Sequence, residues 1–117
     1  MNEDIKIYQE EKPWGNFRRF THNLPSTVKI ITVNPNCELS LQSHTKRKEF
    51  LRVIRGDGIF EIENKNFPVS VGHEQEIPVN AKHRIKSGAN GIEVLEISLG
   101  DFEEEDIIRY EDKYGRV

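Results

Sequence analysis

The chain has 117 residues, enough for one domain with a modest core. Apolar residues make up 35% and charged residues 32%, and a formal net charge of −3 argues against a basic surface for non-specific nucleic-acid binding. A single cysteine, Cys37, excludes an internal disulfide and a thiolate zinc site, and no apolar run reaches membrane-spanning length.

The N-terminal stretch MNEDIKIYQEEKPWG lacks the apolar region of a signal peptide, so a reducing, cytoplasmic setting is expected. From there, turn clusters arrive at short intervals: KPWGN, HNLPS, NPNC, RGDG, ENKN, SVGHE, PVNA and SGANG. Between them lie TVKIITVN, ELSLQSH, EFLRVIR, GIFEIE, FPVSV, HRIKS and IEVLEISLG, many alternating with period two. Short strands at this spacing predict an all-β sandwich or barrel over residues 1–117. RGDG and ENKN are expected to close two hairpins. The acidic start of DFEEEDIIRYEDKYG is able to cap a short helix, but the segment reads equally as a tail strand, with EEED a solvated turn.

One stretch carries chemistry. In LQSHTKRKEFLRVIRG, Gln42 and His44 are two apart, so on a strand both side chains point to one face. Glu49 follows after a short bend and re-enters from the neighbouring strand. An amide oxygen, an imidazole and a carboxylate suit a divalent metal such as zinc, manganese or iron. A fourth ligand has to come from elsewhere, and His83, delivered by NAKHR, is a candidate; taken alone it reads as a surface or satisfied histidine, as do His22 and His73 beside their turns.

These two stretches resemble the two halves of the cupin signature. His44, Glu49 and Gly56 fall at the intervals of the first half, and Gly72, Pro78 and His83 at those of the second. Asn36 and Asn80 stand where the signature has glycine, and asparagine best tolerates positive φ after glycine. Gln42 stands for the first histidine and Ser87 for the final asparagine. KPWGNF, LSLQSH, IPVNAKHRI and IIRYEDKYGR narrow the likeness, which runs from Lys12 to Arg116. They resemble the C-terminal cupin module of bifunctional mannose-1-phosphate guanylyltransferase/mannose-6-phosphate isomerases. Two departures lie at the pocket: His44-Thr45-Lys46 replaces a histidine run, and Lys48 replaces a small residue.

The resemblance implies a double-stranded β-helix (jelly-roll barrel) and isomerisation of mannose 6-phosphate to fructose 6-phosphate. The metal is held by Gln42, His44, Glu49 and His83; zinc is expected, with manganese, iron or cobalt as alternatives. Arg84, the partner of His83 in the family's His-Arg pair, and Lys46 are candidate catalytic residues, with Lys46 or Glu96 as the base. Arg47 and Lys48 are candidates for the phosphate, and Trp14 for the wall of the sugar pocket. On composition alone Lys46, Arg47 and Lys48 are a solvated basic loop, and Trp14 is equally a core residue. Other readings of the same barrel are an isomerase or epimerase of nucleotide-linked sugars, and a non-catalytic sugar- or metal-binding cupin. The expected partners are a small sugar phosphate and a second copy of the chain, joined through an edge strand such as IKIYQEE.

Overall fold

The computed structural model describes residues 7–100 and 102–117. The strands are β1 (Tyr8–Lys12), β2 (Gly15–Arg19), β3 (Ser26–Val33), β4 (Leu41–Ser43) and β5 (Lys48–Ile62). They are followed by β6 (Lys65–Ser70), β7 (Glu74–Ile77), β8 (His83–Leu99) and β9 (Ile108–Glu111). No helix occurs among the described residues. Residues 104–105 form a turn that leads into β9, so the tail reads as turn and strand rather than helix. Asp101, where a helix cap was expected, and the first six residues lie outside the described residues.

Two long antiparallel strands organise the jelly roll. β5 pairs with β8 along nearly its whole length, from Lys48 opposite Leu99 to Ile62 opposite His83. At one end β7 flanks β5 and β3 flanks β8, giving the order β7-β5-β8-β3. At the other end the order is β6-β5-β8-β4-β9. The two ends are the two layers, and a change in register separates them, between Val53 and Arg55 and between Gly56 and Gly58. Extra residues of this kind bend a strand and increase its twist. RGDG therefore does not close the expected hairpin, and the turn cluster SGANG lies opposite it on β8. They are facing corners at which one two-stranded ribbon passes from layer to layer. ENKN does close a hairpin, between β5 and β6.

Between the layers lies a core of Val33, Leu51, Val53, Phe60, Ile77, Ile85, Ile92 and Val94, among others. Val53 and Val94 face each other across the ribbon with no exposed surface, the cross-strand pairing that β-branched residues favour. Both asparagines that replace signature glycines adopt positive φ, 60° at Asn36 and 69° at Asn80. The backbone conformation is kept without the glycine.

β1 and β2 form a separate hairpin within the chain, and Tyr8–Glu11 of the expected edge strand IKIYQEE lie in it. Ile5 and Lys6 of that expected strand are outside the described residues. Among the described residues no helix is long and apolar enough to cross a membrane.

Candidate metal centre

His83 opens β8 opposite Gln42 of β4, and Gln42 in turn faces Arg109 of β9. Residues directly opposite on neighbouring strands project to the same face, so these three form one row into the barrel. Glu49, near the start of β5, projects from the other layer, opposite Ser98. His44 follows β4 directly. The ligand atoms of His44, Glu49 and His83 all lie within 4.8 Å of one another, and the three residues are buried. Nε2 of His83 is 3.0 Å and Nε2 of His44 is 3.6 Å from Glu49 Oε1.

Second partners fix the two rings. His44 Nδ1 lies 2.7 Å from the Asp106 carbonyl, and His83 Nδ1 lies 2.9 Å from the Ala81 carbonyl. A carbonyl only accepts, so both Nδ1 atoms carry hydrogen, and each neutral ring presents its Nε2 lone pair inward. This is the tautomer that metal-binding histidines adopt. Glu49 Oε1 is buried without a well-directed hydrogen bond, despite its nearness to His83. Two imidazole lone pairs and an unsatisfied carboxylate oxygen thus converge on one point, a donor set that fits a divalent cation.

Charge in the cluster is unevenly held. Burial pushes His44 down, towards the neutral form. Burial also opposes charge on His83, but the Glu49 carboxylate outweighs it and raises the ring above its ordinary value. For Glu49 burial raises the carboxyl, and the close approach and attraction of His83 outweigh this, holding it at about 2. Glu96 is pushed up to about 7, by burial first and by the charge of Glu49 second. Glu96 faces the same interior from β8, with Lys29 of β3 opposite it and their charged groups 3.6 Å apart.

Of the residues expected here, the structure brings together His44, Glu49 and His83. Gln42 lines the pocket beside them, its amide oxygen accepting from the Ser40 hydroxyl at 3.1 Å. Arg47 is buried in the wall, with Nε 3.5 Å from Glu49 Oε2 and Nη2 3.4 Å from His44 Nε2. The other expectations require correction. Arg84 follows inward-facing His83, so strand alternation turns it to the outer face. There it is engaged by Glu38, Glu61 and Glu111 at 2.9 to 3.1 Å. Lys48 precedes inward-facing Glu49 and is turned outward for the same reason; it does not line the pocket. Lys46 is exposed and reaches Glu103 at 3.3 Å. Trp14 is neither pocket wall nor core: it sits at the turn of the β1–β2 hairpin, 73% exposed.

Sequence reasoning missed Lys29, Arg109 and Arg116, which line the pocket, and Phe102, whose ring packs against two of the pocket cations. Lys29 Nζ and the Arg47 guanidinium lie 4.9 and 4.4 Å from its centroid. A signal for Lys29 did exist. It shares strand parity with Ile31 and Val33, the inward set of TVKIITV. Arg109 carried no local signal, because its place depends on β9 pairing with a strand some sixty-seven residues earlier in the chain, at Gln42.

The chain is 36% identical over 107 residues to a mannose-1-phosphate guanylyltransferase of Escherichia coli, covering 90% of this chain and 23% of the relative. It is 35% identical over 108 residues to the alginate biosynthesis protein AlgA of Pseudomonas aeruginosa, covering 91% and 22%. The chain thus spans less than a quarter of the length of these curated relatives. A solved cupin protein of Bacteroides fragilis matches with a TM-score of 0.60 at 17% identity, over 69% of this chain and 74% of that one. The capsular polysaccharide assembling protein CapF of Staphylococcus aureus matches with a TM-score of 0.62 at 18% identity, over 91% and 34%. Both likenesses show the cupin fold. The family model for the mannose-6-phosphate isomerase C-terminal domain matches residues 2–112, nearly the whole chain, and the chain belongs to that family.

Proposed function

We propose that this chain is a metal-dependent sugar-phosphate isomerase that interconverts mannose 6-phosphate and fructose 6-phosphate. The observation that carries the reading is the convergence of His44, Glu49 and His83 beside a pocket that His44 and Glu49 line together with a spare buried carboxylate, Glu96. Family membership and the sugar-phosphate enzymes among the relatives support the substrate class.

Aldose–ketose isomerisation moves a proton between C2 and C1 of the open-chain sugar. His44, Glu49 and His83 would hold the ion, with Gln42 beside them; zinc is the first choice, and manganese, iron and cobalt are the others. When bound, the ion would polarise the carbonyl and hydroxyl oxygens and offset the negative charge that develops on them. Glu96 would take the proton from C2 and return it to C1, since it is the buried pocket carboxylate outside the ligand set. The Ser98 hydroxyl, 3.4 Å from Glu96 Oε1, and Lys29 hold that carboxyl in place. Arg47, Arg109 and Arg116 line the same pocket and would hold the anionic end of the substrate, which fixes the reacting carbons.

The test is protein loaded in turn with zinc, manganese, cobalt and iron, incubated with mannose 6-phosphate, and assayed for fructose 6-phosphate. Turnover that is lost in His44→Ala supports the reading. Absence of turnover with all four metals sinks it, and tight binding of the sugar phosphate without turnover would promote the binding-module alternative.

A further inference from the structure

Residues 102–107, which lead into β9, touch the site at several points. Their turn is closed by the Asp106 N–H donating to the Glu103 carbonyl at 3.0 Å. The Asp106 carboxylate then accepts three hydrogen bonds from the loop after β4. Thr45 N and Thr45 Oγ1 donate to Oδ1, both at 2.8 Å, and Lys46 N donates to Oδ2 at 2.9 Å. The main-chain carbonyl of the same residue receives His44 Nδ1–H at 2.7 Å. The segment also steadies Arg47, whose Nη1 donates to the Glu103 carbonyl at 3.1 Å.

We infer that Asp106 is a positioning residue for the metal centre: its carboxylate clamps the tail to the Thr45–Lys46 loop so that its own carbonyl selects the His44 tautomer. The inference rests on the metal-site reading. Two halves of one residue divide the task. The side chain fixes where the segment lies, and the main chain orients the ring. Without the carboxylate, two loop N–H groups lose their acceptor and the carbonyl loses its anchor. His44 can then rotate or shift its hydrogen to Nε2, the atom that must be bare for coordination. A consequence is that the C-terminal segment belongs to the metal centre, although it supplies none of the four expected ligands.

The test uses the full chain and measures zinc affinity by chelator competition, the cobalt(II) absorption spectrum, and thermal unfolding in chelator. Asp106→Ala should weaken zinc about ten- to a hundredfold, as loss of an orienting partner does in comparable sites. It should also change the cobalt spectrum while unfolding in chelator remains cooperative. Asp106→Asn keeps an acceptor for Thr45 but turns an N–H towards Lys46, and should fall between. If Asp106→Ala lowers the melting temperature but leaves zinc affinity and the cobalt spectrum at wild-type values, the role is merely structural and the inference is overturned. Should Asp106→Ala not fold, Thr45→Val decides. It removes one of the three bonds and should weaken zinc a few-fold, roughly the worth of one hydrogen bond; an unchanged affinity overturns the inference. Wild-type protein that binds no zinc overturns the metal reading as well, so the two failures are told apart.

Discussion

Arg47 stands where two demands conflict. Its guanidinium lies within 3.5 Å of both Glu49 and His44, so it repels a cation held by them, yet it lines the pocket that would receive an anion. Arg47→Met should therefore bind metal at least as tightly as wild type and lose substrate affinity about ten- to a hundredfold, the worth of a charge-assisted hydrogen bond. Separate titrations of metal and of mannose 6-phosphate check this, and a loss of metal affinity would contradict it. Gln42, His44 and Glu49 could be singled out in the sequence because period-two parity and signature spacing act over a few residues. Lys48 and Arg84 lie away from the pocket because nearness in sequence to a ligand is not nearness in space on a strand, whereas Lys46 is exposed in the loop after β4. Alternation sends the neighbour of an inward residue outward.

The β5–β8 ribbon was read as four strands where there are two. Glycine-rich stretches mark both hairpin turns and corners, and local sequence does not separate them. Space explains the glycine at Gly56. A Cβ there would lie 2.0 Å from the Gly91 carbonyl oxygen, and its φ is +78°. Gly56→Ala should cost about 2–4 kcal/mol from strain and overpacking together, read as a shift of the urea midpoint. If that corner were a solvated hairpin turn, the midpoint would move little. ENKN was read correctly because its two flanking runs are short, alternating and adjacent in the sheet. The tail strand β9 could not be placed from sequence, since its partner β4 lies some sixty-seven residues earlier in the chain.

Across the whole molecule, the β1–β2 hairpin is tied to the barrel by Glu74 of β7. Glu74 receives Arg18 in a two-pronged pair at 2.7 and 2.8 Å, and also Arg52 of β5. Packing of Phe20 on Phe50, with centroids 5.2 Å apart, completes the attachment. The Arg18 bond, joined by Arg52, holds the Glu74 carboxyl at about 2, below its ordinary 4.5. The folded value is thus the lower one, so the contribution is fully present above about pH 4.5 and is lost as pH falls towards 2. Glu74→Gln should melt below wild type at neutral pH, with a gap that narrows through this acid range. A gap that widens as acid is added would contradict the assignment.

His44, Glu49 and His83 together present a donor set for a divalent ion between the two layers of the barrel. The most direct measurement is the metal-to-protein ratio after zinc loading and exhaustive dialysis, for wild type, His83→Ala and His44→Ala. The account predicts one ion per chain in wild type and none retained in either variant. Full occupancy in the variants, or none in wild type, would contradict it.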